Sequence, residues 1–465
     1  MTRVLHWFRS DLRLDDNTAL HAASSAGQVI GLYIATPAQW RAHADAPIKL
    51  DYWRRNLQLL EQELAQRGIP LLCAEVPGYK DIPGLLEQLL PALNVTALHC
   101  NREYPVNERE RDQQVEHVCK QLGVSWQLHN DQTLVAPETV LNKSGQPFKV
   151  FTPYAKTVRE RLALVTPPVL PAATRQPVPS VPALSLCCSL SELSWPAAVP
   201  EWETLWPAGA ARAHKQLEGF AAATIGAYKE QRDIPAVAGT SQLSPQLAAG
   251  VLSIRQCWHA TLRTAGNAGV FTWQNELLWR DFYKQVMWHF PHVCKKYQWR
   301  TDLGHIPWRH DEADFARWCE GRTGIPIVDA AMRQLLHTGW MHNRLRMITA
   351  MFLSKQLLID WRWGEHWFMQ QLIDGDFSAN NGGWQWSAST GTDAAPYFRI
   401  FNPVTQSQRF DPDGTFIRRW VPELAELDNK SIHDPGLWKP ADYPAPLVDL
   451  AFGRERALSA FKLPG

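Results

Sequence analysis

The stretch richest in chemistry runs from Leu372 to Pro403, LIDGDFSANNGGWQWSASTGTDAAPYFRIFNP. Asp374 and Asp376 flank Gly375, and Asn380, Asn381 and two glycines follow. Trp384 and Trp386 stand one residue apart among Asn, Gly, Ser and Thr, with few aliphatic neighbours, and the segment reads as loop. Indoles are usually spent on cores or interfaces because each buries a large area, so two of them here need another purpose. Upstream, WMHNRLRM (340–347) is rich in arginine. The acids and these arginines form either a structural salt-bridge network or a mount for a polar cofactor whose charge must be tuned.

Two other features carry chemistry. Gly239-Thr240-Ser241-Gln242-Leu243-Ser244 offers hydroxyls and backbone N–H groups just before a helix starting near Pro245, a setting that suits anionic oxygens. Ser244 as a plain N-cap ahead of proline is locally an equally good reading. Residues 224–300 hold nine Lys/Arg against four Asp/Glu, and 331–358 hold Arg333, Arg344, Arg346, Lys355 and two histidines with no acid. These are either scattered solvated faces or a basic surface for a phosphate backbone. Trp273, Trp279, Phe282, Tyr283 and Trp288 interleave with them, as wanted where unstacked bases are sandwiched.

Elements must hold these residues in place. Over the first ~130 residues, VLHWF (4–8), VIGLYIAT (29–36), PLLCAEV (70–76), VTALHC (95–100) and VSWQLH (124–129) read as strands. Helical segments between them, such as 51–68 and 107–123, close on glycine. The alternation implies a parallel, Rossmann-like sheet, with ligands at the carboxyl ends of its strands near Arg9–Asp11, Thr36 and Asn101–Glu108. Nine of the 33 prolines fall between 167 and 207, an interdomain connection crossing the surface of both domains. After ~210 strand signals nearly vanish, and segments such as 273–290, 325–339 and 342–360 carry 3.6-residue periodicity. The expected division is an α/β domain over 1–130, a connection over 131–210 and an all-α domain over 211–465.

Composition excludes little. A net charge of +1 can hide a basic face, and 45% hydrophobic with 20% charged residues is ordinary globular content. The N-terminus MTRVLHWFRSDLRLDD lacks the apolar stretch of a signal peptide, and no run reaches the length of a membrane span. Eight cysteines without CxxC spacing suggest reduced thiols in a cytoplasmic protein. HExxH, Walker A and GxGxxG are absent.

HWFRSDLRLDDN (6–17), GTSQLS (239–244), WQNELLWRDFY (273–283), TGWMHNRLRM (338–347) and DGDFSANNGGWQWSASTGTDAAPYFRIFNP (374–403) together resemble the photolyase/cryptochrome family. The likeness is greatest to the class I, folate-type DNA photolyases that act on cyclobutane pyrimidine dimers. It spans almost the whole chain and is weakest in the Pro-rich connection and after ~430.

The resemblance implies FAD in the helical domain, with no metal. Tyr228, Thr240, Ser241, Gln242, Leu243, Ser244, Trp273, Arg346, Asp374, Gly375 and Asp376 match its contacts, which turns the Ser244 ambiguity toward a phosphate cradle. Asn380 matches the residue facing flavin N5, where a neutral amide is compatible with reduced, anionic FAD. The implied reaction is that of a carbon–carbon lyase, in which light-excited reduced FAD lends an electron to a flipped-out dimer and recovers it after the cyclobutane opens; base flipping by photolyases is itself a general principle. Glu276 matches the group that hydrogen-bonds the dimer, best done if protonated, and Trp279 and Trp386 match the walls of its pocket. Asn343, Arg344 and Met347 match the remaining pocket and phosphate contacts, with Arg232, Tyr283 and Lys284 as further DNA contacts. Asn343 and Met347, where (6-4) enzymes carry histidine, favour the cyclobutane substrate. Trp384, Trp361 and Trp308 match an electron-supplying chain from flavin to surface. His43, Asn107, Glu108, Cys294 and Lys295 match positions that bind a 5,10-methenyltetrahydrofolate antenna. The implied partner is UV-damaged DNA, single- or double-stranded, met by a cytoplasmic monomer. A cryptochrome-type photoreceptor is the alternative; it predicts a signalling tail and a changed N5 or pocket residue, and Asn380, Glu276 and Met347 argue against it.

Overall fold

The computed structural model describes residues 2–462. They form two compact units that are not contiguous in sequence: one takes the chain up to Ala223 together with Ser241–Pro291, the other Thr224–Thr240 and the chain from His292 onward.

The first unit is built on five strands, β1 (Arg3–Phe8), β2 (Gln28–Ala35), β3 (Leu71–Glu75), β4 (Ala97–Asn101) and β5 (Ser125–His129). All pair in parallel in the order β3-β2-β1-β4-β5. Val4 registers with Val29 on one side and with Ala97 on the other. Buried on both faces, β1 and β2 are almost continuous apolar runs, as central parallel strands must be. Helices α1 (Thr18–Ala26), α2 (Pro47–Gln66), α3 (Ile82–Leu93) and α4 (Val106–Leu122) make the crossovers. The strand order reverses between β1 and β4, so their carboxyl ends, Arg9–Asp11 and Asn101, border the crevice where such sheets take ligands.

The Pro-rich segment is mostly irregular because proline cannot donate, with one short helix at Pro200–Leu205, and part of its hydrogen bonding runs through side chains. The Gln176 side-chain amide accepts from Val29 N–H (2.8 Å) and donates to Val29 C=O (2.7 Å), satisfying the backbone of β2 ahead of the point where β3 begins to pair with it. Trp195 stacks on Trp40 at 5.2 Å. After α5 (Phe151–Leu164), the unit adds α6 (Ser244–Ala249), α7 (Ile254–Leu262) and α8 (Ala268–His289). A buried ionic cluster joins α7 to the sheet: Arg255 and Arg13 both donate to Asp131, at 2.8 and 2.7 Å, and Arg255 also reaches Asp16. Both cations hold the Asp131 carboxyl far below its usual range against the opposing effect of burial. α6 begins at Ser244 with Leu243 in the capping position, so Ser244 is not the N-cap that its local sequence allowed.

The second unit is helical. α9 (Pro326–Thr338), α10 (Asn343–Met351), α11 (Trp361–Gln371) and α12 (Phe377–Ser387) surround a core of Trp318, Ile348, Leu353, Trp361, Phe368 and Trp384. α12 overturns one expectation. The Asn/Gly-rich stretch expected to be loop is helix, started by Asp376, whose carboxylate accepts from Ala379 N–H at 3.0 Å. Its intrinsic propensity is poor, and the burial of Trp384 and Gln385 overrides it.

Candidate cofactor and DNA-binding sites

In the helical unit, α12 sends its two indoles to opposite sides because residues two apart on a helix diverge by about 200°. Trp384 is 2% exposed and enters the core, edge-on to Phe368 (5.0 Å) and Trp318 (6.0 Å). Trp386 remains half-buried. Trp384 owes its place to a glycine on α11: a Cβ on Gly364 would sit 2.7 Å from Leu353 Cδ2 and closer still to Cζ3 and Cη2 of the indole. A Cβ on Gly383 would meet no protein atom within 4 Å. Trp361 is fully buried at the start of α11, and Trp308 is half-buried with its ring edge-on to Phe461 at 5.7 Å.

Around the start of α12 the polar groups are fixed one by one. Arg346 Nη2 donates to both carboxylate oxygens of Asp374, at 2.7 and 3.0 Å, and its Nε donates to Met341 C=O. Asn380 Nδ2 donates to Glu365 C=O at 2.9 Å, leaving Oδ1 as the group this amide can offer. The next amide, Asn381, donates to Glu365 Oε1 (3.3 Å), Gln385 donates to Asn381 Oδ1 (2.9 Å), and Trp299 N–H donates to Gln385 Oε1 (2.8 Å). Burial pushes the Glu365 carboxyl up to about 7. Nothing in the sequence singled out Glu365, because its partners lie 15 and 16 residues away.

On α10, Asn343, Arg344 and Met347 share a face, Asn343 exposed and Met347 half-buried. Arg344 pairs with Asp233 at 2.9 Å and lies over Phe410 at 4.4 Å. Arg232 sits 3.7 Å from Asp233 and its guanidinium covers Tyr228 at 5.7 Å. His342, also missed in the sequence, caps α10: its Nδ1 accepts from Arg344 N–H, so Nε2 carries the proton. That N–H is buried without a hydrogen-bond partner, and burial lowers the imidazole to about 4. A buried unpaired donor among arginines fits a bound polar, anionic cofactor.

The first unit carries the remaining residues. Glu276, Trp279 and Tyr283 follow one another at helical spacing on one side of α8, each half-buried. Trp279 stacks flat on Phe151, with ring centroids 3.8 Å apart and planes 7° from parallel. Trp273 is buried against Phe220 at 5.0 Å. Lys284 departs from expectation: it is 3% exposed and its charge acts on Asp281, which takes it out of the exposed basic surface a DNA phosphate would meet. Burial drives the Asp281 carboxyl to about 7. In the Thr240–Ser244 run, Gln242 adopts a left-handed φ of 50°, and Gln216 donates to the carbonyl of Ser241 (2.8 Å).

At the carboxyl side of the sheet His43, Asn107 and Glu108 come together. His43 Nε2 accepts from Gln39 (2.8 Å) and Asn107 (3.0 Å), so Nδ1–H faces Glu108 Oε1 at 3.8 Å. Tyr79 donates to the same oxygen at 3.3 Å, while Oε2 is buried without a partner. Burial raises the Glu108 carboxyl. An unused, buried carboxylate oxygen fits a ligand that brings its own hydrogen-bond donor. Cys294 and Lys295 belong to the other unit, on the short turn Pro291–Lys295, with Lys295 exposed.

A parallel nucleotide-binding type of sheet and a helical unit with a charge-tuned polar mount define a cofactor-binding protein of two architectural parts. Comparison with known proteins names its family. The family model "DNA photolyase" matches residues 4–179, and "FAD binding domain of DNA photolyase" matches 273–463. The deoxyribodipyrimidine photo-lyase of Vibrio cholerae is 45% identical, with 98% of this chain and 99% of that one covered. The enzyme of the same name from Escherichia coli is 44% identical, with 99% of each covered. A crystal structure of a bacterial class III photolyase from Agrobacterium tumefaciens superposes with a TM-score of 0.86 at 36% identity, covering 99% of this chain and 97% of that one. The chain belongs to the DNA photolyase family, and it carries that family's FAD-binding domain.

Proposed function

We propose that this protein is a deoxyribodipyrimidine photo-lyase that repairs cyclobutane pyrimidine dimers in UV-damaged DNA, single- or double-stranded, as a cytoplasmic monomer. Full-length relatives of that name support the reading. Its functional division is an antenna-binding part over 1–130, a connection over 131–210 and a catalytic part over 211–465. Among the described residues no helix is long and apolar enough to cross a membrane.

The observation that carries the mechanism is Asn380, a neutral amide whose N–H₂ is held by Glu365 C=O and whose Oδ1 is left to accept. An acceptor there suits the N–H of a reduced flavin N5, and it places no carboxylate beside that ring. Arg346 and Asp374, with Gly375 and Asp376, would hold the flavin and ribose portions, and Tyr228, Thr240, Ser241, Gln242, Leu243, Ser244 and Trp273 the remainder. When bound, reduced FAD supplies one electron to the dimer under blue light and recovers it after the cyclobutane bonds open. The protein orients, excludes water and sets the electrostatics. Glu276 is assigned the hydrogen bond to the extruded base edge, Trp279 and Trp386 its stacking, and Asn343, Met347, Arg344, Tyr283 and Arg232 the pocket and backbone contacts. Trp384, Trp361 and Trp308 would carry electrons inward when the cofactor is oxidised. His43, Asn107, Glu108, Cys294 and Lys295 would hold methenyltetrahydrofolate as antenna, the Glu108 oxygen accepting from the pterin.

The test is the loss of dimers from an irradiated oligonucleotide, followed with the flavin reduced. Repair under blue light and none in darkness is expected; equal outcomes in light and dark overturn the proposal.

A further inference from the structure

Phe151 has no part in the motifs that pointed to DNA, yet it makes the flattest aromatic contact in the first unit. As the first residue of α5 it stacks on Trp279 at 3.8 Å with planes 7° apart. Offset or edge-on arrangements at 4.5–7 Å are the ordinary preference of aromatic pairs, so a parallel contact this close is one that its surroundings impose. They do so from three sides. Phe282 meets both rings edge-on, Phe151 at 6.0 Å and Trp279 at 5.6 Å. Tyr154, one turn along α5, packs on Phe282 at 5.2 Å. Gln285 on α8 donates to Phe148 C=O at 3.2 Å and ties the segment preceding α5 to the same helix. Phe151 is 8% exposed, whereas Trp279 stays half-buried. Phe151 covers one face of the indole, Tyr283 lies tilted beside it at 5.5 Å, and the ring keeps its exposed surface away from Phe151.

We propose that Phe151 is a positioning residue for damage recognition: it backs the Trp279 indole and fixes the plane against which an extruded pyrimidine stacks. The inference rests on the role given above to Trp279. A ring held from behind is pre-organised, and a base landing on it does not have to immobilise it first. Leucine at 151 keeps an apolar filling but cannot hold a plane; tyrosine keeps the flat ring.

The experiment measures binding of a dimer-containing oligonucleotide and of its undamaged twin in darkness, for the holoprotein and the variants Phe151→Leu, Phe151→Tyr and Trp279→Ala. Flavin content and light-driven flavin reduction without DNA serve as controls for the fold. A base–aromatic stack accounts for roughly 5- to 150-fold in affinity. Phe151→Leu is expected to lose about tenfold, near the lower end of that range, in affinity for the dimer. Affinity for the undamaged twin should not change, and Phe151→Tyr should restore discrimination. Undiminished discrimination in Phe151→Leu overturns the positioning role, as does an equal loss on both oligonucleotides. If Trp279→Ala itself binds the dimer like the parent protein, the pocket role of Trp279 fails, and the inference about Phe151 with it. Loss in Trp279→Ala without loss in Phe151→Leu removes the inference alone.

Discussion

The indole of Trp384 lies directly over the backbone of Gly364, where any side chain would collide with it. The α11–α12 crossing therefore exists in this form only because position 364 has no Cβ. Gly364→Ala must push the indole aside, at a cost of about 1–3 kcal/mol for an overpacked core. Thermal unfolding should show the loss. Light-driven reduction of oxidised flavin should slow, while repair by chemically reduced protein persists.

Trp308 is the half-buried member of the proposed electron chain, and Trp361 and Trp384 are its buried members. Trp308→Phe is expected to abolish most photoreduction of oxidised FAD and to leave dimer repair intact once the flavin is chemically reduced. Transient absorption and a repair assay on the same sample check both halves. Normal photoreduction would move the route elsewhere, and Trp318, which meets Trp384 at 6.0 Å, is the neighbour to examine next.

Arg346 neutralises Asp374, whose side chain is 3% exposed against 25% for the arginine. Arg346→Leu leaves that carboxylate buried without its cation. The partial exposure of the pair moderates the penalty, to ~2–3 kcal/mol. Flavin content after purification should fall sharply, and Arg346→Lys should retain an intermediate share because it keeps the charge without the planar fork.

The antenna assignment has its own readout. Glu108→Ala removes both the partnerless Oε2 and the oxygen that faces His43. The purified variant should lose near-ultraviolet antenna absorbance and keep its flavin spectrum. Dimer repair driven by direct flavin excitation should be unchanged.

Three histidines in the sheet region give the fold an acid limit. His99 Nδ1 lies 3.1 Å from His129 Nε2, and His6, fully buried with neither nitrogen hydrogen-bonded, has Asp11 at 3.7 Å. Arg9 and Asp131 also act on His6. Burial lowers all three imidazoles, His99 to about 4. The unfolded chain takes up protons near pH 6.5, whereas in the folded one His99 resists until about pH 4 and burial holds His6 and His129 below their usual range as well. Their contribution is thus complete above about pH 6.5 and is lost as pH falls, by up to ~1.4 kcal/mol per pH unit for each group. Thermal unfolding at pH 7 and pH 5 should differ less in His99→Phe than in the parent protein.

Much of the molecule was legible in the residues alone. All five strands were readable to within two residues, because buried parallel strands are short apolar runs bounded by turn residues. The His43–Asn107–Glu108 grouping and the Arg346–Asp374 pair were readable through family motifs, and the structure brings each set together. What failed did so where burial, not local preference, decides. α12 is a helix despite its asparagines and glycines, since the core holds Trp384 and Gln385 more strongly than propensity opposes them. Lys284 is a basic residue in a basic stretch, yet it is buried, and only three dimensions say so.

The sequence by itself determined the parallel α/β part, the helical part, the family and the identity of the chemical groups, because these follow from patterning and from ordered motifs. Only the tertiary structure decided which way each group faces. It set Trp384 inward and Trp386 outward, turned the Asn380 amide by giving its N–H₂ to Glu365, and laid Phe151 flat behind Trp279. The reason is physical: orientation comes from contacts between residues far apart in the chain, and no local pattern encodes which distant partner will be there.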